Sequence, residues 1–319
     1  MPELIPAEPG TPEWLAARRA GVTATDIVTI LGLSRWDSVY SLFWRKMQQA
    51  PEPEDNDRFR LGRYLEPYVV DRWLEEADHA SIGIVAKGAL MRHDQRPWQM
   101  ATLDRCLMER SLSRFTGVLE VKTWADADKP SRQDGPPPQV RAQVLWQMDT
   151  MQVATGHVGV VFLPSGEFRS YVIAHEDEKT HDQLGPEGCH VCTDQRLMRE
   201  AGEEFMKRLR LELPPPDPDA SMATLAAVCA RFTRQPDKTA EIDGTSWAAW
   251  SDAKDVLKHW EGKVREYEIG LREQAGEASV LTVNGQPVAR RVVSDQNVKA
   301  HTRHMDYLTR IKPKGDDSE

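Results

Sequence analysis

The 319-residue chain is predicted to form an α/β fold, with a central mixed β-sheet flanked by helices and a smaller C-terminal appendage. Two observations predict this. Apolar residues recur at helical spacing early in the chain, and beyond Ala80 the pattern changes to short alternating or apolar runs. One further helical stretch separates three such runs from two more, so the order is helices, strands, helix, strands. A chain of this length has core to spare.

From Pro12, PEWLAARRAGVTATDIVTILGLSRWDSVYSLFWRKMQQ is interrupted at GVTATD and LGLSRW, which predicts short helices joined by polar turns, with Trp36 packing between them. PEPEDNDR from Pro51 reads as an exposed loop. RLGRYLEPYVVDRWLEE from Arg60 is an amphipathic helix carrying Tyr64, Leu65, Val69, Trp73 and Leu74, with Glu66 among them. IGIVAKGALM, WQMATLDRCLM and RFTGVLEVKTW read as successive strands, the last two joined by a loop at ERSLSRFTG. DGPPPQ leads into the helix VRAQVLWQMDTMQVATG, and HVGVVFLP and FRSYVIAH follow as strands around a turn at PSGE. A helix from Glu200 to Leu213 closes the core, and PPPDPDAS from Pro214 reads as a linker or helix-capping loop. The expected division is therefore 1–213 and 214–319. The second part holds a long helix with Trp250, Ala253, Leu257, Trp260, Val264, Tyr267 and Leu271 at heptad spacing, expected to make an intramolecular helical pair or a subunit contact. It ends in a hairpin, SVLTVNGQPVARRV, whose Asn284-Gly285 suits a type I′ turn.

Four cysteines are too few for a disulfide framework, MPELIPAEPG has no basic and apolar signal sequence, and no apolar run approaches the ~20 residues that cross a bilayer. A soluble, cytoplasmic protein is expected. The formal charge of −9 argues against coating nucleic acid through the whole surface, but a nuclease needs only a local basic groove, and its metal site consumes carboxylates. Cys189-His-Val-Cys192 lacks third and fourth ligands at the spacing of a cluster, so neither an iron–sulfur centre nor zinc is expected there.

Within GVLEVKT, Leu119 and Val121 alternate with Glu120 and Lys122, so a carboxylate and an ammonium share one strand face. Alone, that reads as a solvated ion pair. With Asp104 at the end of the preceding strand, D-x15-ExK resembles the signature of PD-(D/E)xK nucleases. Two carboxylates supply hard oxygen ligands for Mg²⁺, for which Mn²⁺ is an expected substitute. Such a metal lowers the pKa of a water and neutralises charge on the phosphate. Lys122 can orient or help deprotonate that water.

The surrounding motifs are more specific. WLAARRAGVTATD, SRW, GRYLEP, ATLD, GVLEVKT, PPPQVRAQVLWQM and VATG fall in the order of the YqaJ viral recombinase family, which includes phage lambda exonuclease. The resemblance spans Trp14 to Arg210, about two thirds of the chain. It implies a restriction-endonuclease-like core and a metal site of Glu66, Asp104 and Glu120, with the Val121 carbonyl as a further ligand and Lys122 beside them. It also implies Gln143 on the following helix, with Gln147 as a rival, and Arg19 and Thr25 holding the 5′-phosphate of a DNA end. Without the resemblance, Glu66 reads as a solvated helix face, Arg19 as a surface charge and Thr25 as a helix N-cap. The implied activity is a Mg²⁺-dependent 5′→3′ exonuclease of phage or prophage origin on double-stranded DNA, working with a single-strand annealing protein as a ring-shaped oligomer such as a trimer. An endonuclease or replication-linked nuclease on the same core stays open, as does a catalytically idle DNA-binding protein. One departure stands out: the family has a Pro-Asp-Gly turn where this chain has Leu103-Asp104-Arg105.

Overall fold

Side-chain capping sets where the N-terminal helices begin. Thr23 and Asp26 form a reciprocal capping box that opens α2 (Ala24–Ile30), and Ser38 with Ser41 does the same for α3 (Val39–Lys46). Thr11 caps α1 (Pro12–Arg19), and Asn56 caps α4 (Asp57–Leu74). The computed structural model describes residues 1–52, 55–76, 82–109, 114–130, 135–175, 188–232 and 234–293. Part of the expected loop at ERSLSRFTG and residues 294–319 of the expected C-terminal extension lie outside them.

Six strands form one sheet in sequence order: β1 (Glu3–Ile5), β2 (Ile82–Arg92), β3 (Met100–Glu109), β4 (Arg114–Ala125), β5 (Thr155–Leu163) and β6 (Phe168–Ala174). Every neighbouring pair is antiparallel except β4 and β5. A parallel pair needs a crossover, which α5 (Pro138–Met151) provides. The sheet is thus mixed, as the sequence predicts.

Alternation along β4 decides which layer each residue meets. Leu119 clusters with Val70 and Trp73 of α4, whereas Val118 clusters with Val144, Leu145 and Met148 of α5. Successive side chains point to opposite faces, so Val118, Glu120 and Lys122 look toward α5, while Leu119 and Val121 look toward α4. Helix α5 lies very close to the sheet: a Cβ on Gly156 would sit 2.2 Å from Val144 Cγ1 and 2.8 Å from Met148 Sδ.

The chain divides into two compact units, Met1–Thr233 and Arg234–Glu319. The first runs past the boundary expected at 213 because α7 (Met222–Arg231) packs on α3. Ser38 Oγ lies 2.7 Å from Thr224 Oγ1, Arg231 stacks 3.2 Å from the Trp44 ring centre, and Arg231 Nη1 donates to Tyr40 at 2.8 Å. Helix α6 spans His190–Arg210, starting before the expected Glu200 because Cys189 Sγ caps it, an acceptor outside the usual N-cap set. Strand β1 was not expected, being only three residues long and tied to β2 by an Arg92–Glu3 ion pair of 2.7 Å. Trp36, expected to pack between helices, is 81% exposed.

In the second unit, α8 (Gly244–Ala275) is followed by the hairpin of β7 (Val280–Val283) and β8 (Gln286–Arg290). Positive φ at both Asn284 and Gly285, 49° and 77°, matches the type I′ turn. Leu257, Trp260, Val264, Tyr267 and Leu271 of α8 are exposed, so no intramolecular helix covers that stripe among the described residues. No described helix is long and apolar enough to cross a membrane.

Candidate active site

Glu120 lies in the middle of β4 and is 2% exposed. A buried carboxylate needs partners on its oxygens. Glu120 has two: the Lys122 ammonium on Oε1, and Gln147 Nε2, which donates to Oε2 at 2.6 Å. Gln143 sits one turn earlier on the same helix, half-buried, and Gln147 is the residue that reaches the carboxylate.

Asp104 comes from β3. Arg105 pairs with Leu119, and continuing that register by one residue sets Asp104 opposite Glu120 on the α5 face. The Val121 N–H donates to Asp104 Oδ2 at 2.8 Å. The N–H and carbonyl of one strand residue face the same neighbour, so the Val121 carbonyl also looks toward Asp104. Burial first, and then the Glu120 charge, push the Asp104 carboxyl up to about 8, with Glu66 adding to the rise and Lys122 and the Val121 N–H opposing it. Burial works against the Lys122 charge, but Glu120 and Asp104 outweigh it and hold Lys122 above its ordinary value.

Glu66 approaches from α4, on the other layer, and is ion-paired with Arg105 Nη1. The same Nη1 donates to the Asp104 carbonyl at 2.6 Å. Residue 105, where the family turn has glycine, lies inside β3, and its guanidinium ties Glu66 to the backbone of Asp104. Nothing local in the sequence marked this residue.

Arg19 lines a cavity of about 690 Å³ together with Arg18, Arg45, Lys46 and Arg63. Carboxylates hold most of these cations: Arg19 Nε donates to Glu52 at 3.1 Å, Lys46 to Asp26 at 2.7 Å and Arg63 to Asp55 at 2.7 Å. Arg18 instead lies over the Trp14 ring and donates to Thr23 Oγ1 at 3.4 Å. Thr25 is exposed on α2 and does not line this cavity, while the N-cap role belongs to Thr23. Arg63 and Glu66 are three residues apart on α4, so the cavity adjoins the carboxylate site by about one helical turn.

Residues 13–157 match the YqaJ-like viral recombinase domain. That match spans under half of the chain. Glu66, Asp104, Glu120, Lys122, Gln143, Gln147, Arg19 and Thr25 all fall within it. The YqaJ protein of Bacillus subtilis (strain 168) is 29% identical over 122 residues, which span 37% of this chain and 37% of that relative. An alkaline exonuclease from Laribacter hongkongensis is 19% identical over 63% of this chain and 97% of its own, with a TM-score of 0.42. A phage-related exonuclease from Haemophilus somnus 129PT is 11% identical over 61% of this chain and 96% of its own, with a TM-score of 0.43.

The donor set of this site fits a hard divalent cation. Asp104, Glu120 and the Val121 carbonyl offer oxygen only, and burial, followed by the Glu120 charge, makes an ionised Asp104 costly unless a cation sits beside it. Glu66 is the further carboxylate, held by Arg105.

Proposed function

We propose that this protein is a Mg²⁺-dependent exonuclease that resects double-stranded DNA 5′→3′, leaving 3′ single strands for a single-strand annealing protein. The observation that carries the reading is the adjacency of the Asp104, Glu120 and Lys122 cluster to the basic cavity lined by Arg19, with α4 contributing to both. Mg²⁺, when bound, supplies a water of lowered pKa and neutralises the phosphate under attack.

The chain's own groups do the rest. Asp104, Glu120 and Glu66 would hold the cation, Gln147 fixes the orientation of Glu120, and Lys122, kept as an ammonium, would donate hydrogen bonds to the attacking water and to the phosphate oxygens on which charge develops. Water oxygen bonds to phosphorus, the bond from phosphorus to O3′ breaks, and O3′ takes a proton. The terminal nucleotide leaves, and the new 5′-phosphate stays on the shortened strand. Arg19, with Arg18 and Arg45 around it, would then seat that phosphate, each cut regenerating the group the cavity reads. The exposed Thr25 would contact the strand outside the cavity. The resemblance supports a ring of subunits, such as a trimer, enclosing the duplex.

The test compares linear duplexes bearing 5′-phosphate or 5′-hydroxyl ends with a closed circle, at fixed salt and with or without Mg²⁺. Wild type should digest 5′-phosphorylated ends fastest and leave circles intact. Arg19→Ala should lose about ten- to hundredfold of that preference, the scale of a charge-assisted hydrogen bond of about 1.5–3 kcal/mol. Digestion of circles, or degradation chiefly from 3′ ends, would leave only a metal-dependent nuclease.

A further inference from the structure

We propose that His175, Cys189 and Cys192 form a zinc site separate from the nuclease centre. Cys189 and Cys192 form a Cys-x2-Cys pair with no further ligand at motif spacing, and the fold supplies a third. His175 follows the last residue of β6, and the two cysteines open α6, Cys189 as its N-cap. His175 Nδ1 lies 3.6 Å from Cys189 Sγ and 3.4 Å from Cys192 Sγ, and all three donor atoms lie within 4.8 Å of one another.

The two sulfur-to-nitrogen distances are those of a zinc site. Tetrahedral bonds of about 2.3 Å to sulfur and about 2.0–2.1 Å to nitrogen place sulfur and nitrogen about 3.5 Å apart. Both sulfurs converge on the same Nδ1, as they would around a metal bonded to all three. Two thiolates and an imidazole are soft and borderline donors, suited to zinc rather than to Mg²⁺. Burial and the neighbouring Cys189 push the metal-free Cys192 thiol up to about 11, a proton that zinc binding would displace. Cys189 is buried, whereas His175 and Cys192 are half-buried, which leaves the fourth position to water.

The site lies apart from the carboxylates. Ala174 pairs with Thr155, and Thr155 with Gly117, three residues before Glu120. It also lies beyond residue 157, where the match to the YqaJ-like domain ends. Bound zinc would clip the end of β6 to the start of α6, across 14 positions of sequence.

The full-length protein, purified under reducing conditions without chelator, should contain one zinc per chain by elemental analysis. Replacing that zinc with Co²⁺ should give sulfur-to-cobalt charge-transfer absorption, a readout needing no variant. Cys192→Ser and His175→Ala should each lose the zinc and the absorption and melt at lower temperature, yet retain Mg²⁺-dependent cleavage at a temperature where they stay folded. Absence of zinc after reduction and incubation with Zn²⁺ would overturn the proposal. So would stoichiometric zinc retained in both Cys192→Ser and His175→Ala, or a Cys189–Cys192 disulfide as the state of the freshly reduced and purified protein.

Discussion

Raising the pH from 6 to 8 should tighten divalent-metal binding about 50-fold through Asp104 alone. Burial and the Glu120 charge push this carboxyl up to about 8, and a metal binds only its ionised form. About one molecule in a hundred is ionised there at pH 6 and about half at pH 8, a ratio equivalent to about 2.3 kcal/mol. The sign for stability is opposite. The folded metal-free protein keeps a proton that the unfolded chain gives up near the ordinary value of 3.8, so this stabilisation is full at low pH and is lost as pH rises through about 8. The assay is calorimetric titration of Mg²⁺ and Mn²⁺ at pH 6, 7, 8 and 9, in two buffers of different protonation enthalpy, which counts the protons released. Close to one proton should leave at pH 6 and few at pH 9. Asp104→Asn should flatten the pH dependence, weaken binding and remove the decline in metal-free melting temperature. Affinity that is level from pH 6 to 8, or binding at pH 6 with no proton release, would refute the reasoning.

Arg105→Ala frees Glu66 from a charge-assisted hydrogen bond of about 1.5–3 kcal/mol, so metal affinity at pH 9 should rise about tenfold; an unchanged calorimetric isotherm would show that Glu66 is not a ligand. Gln147→Ala should lower kcat about tenfold or more by releasing Glu120, with a smaller loss for Gln143→Ala, and steady-state kinetics on 5′-phosphorylated duplex decide the order. A chain ending at Thr233 should melt like wild type and cleave linear DNA. One ending at Leu213 strips α7 from Trp44 and Tyr40 on α3, the helix that carries Arg45 and Lys46, and should melt several degrees lower with weakened binding to 5′-phosphorylated ends. Lys122→Ala should abolish cleavage while leaving Mg²⁺ affinity nearly unchanged by calorimetry.

Features with a short period were legible in the sequence. GVLEVKT states its own two faces, and the structure keeps Glu120 and Lys122 together on the side of α5. The succession of strands along the chain followed from runs of apolar residues, and the turn at Asn284-Gly285 from the conformations those residues tolerate. The choice between Gln143 and Gln147 was not legible, because residues four apart share a helix face and only the height of α5 over the sheet separates them. Arg105 was hidden for a different reason: its partner Glu66 lies 39 positions away on another layer. His175 has no spacing relation to Cys189 that a motif records, and it comes into range only because β6 ends where α6 begins.

The contact between Gly156 and α5 reaches further than packing. The gap between helix and sheet is set by a bare hydrogen at a position where any other residue would put carbon 2.2 Å from Val144. Gln147 lies between Val144 and Met148, the two residues that touch this hydrogen, and its 2.6 Å grip on Glu120 has no slack to absorb a helix lifted by even one methyl radius. Gly156 therefore works as a spacer gauge for the cleft. In a mutational scan scored on DNA cleavage it should stand among the most intolerant positions, although it carries no group able to bind a metal, a proton or a phosphate.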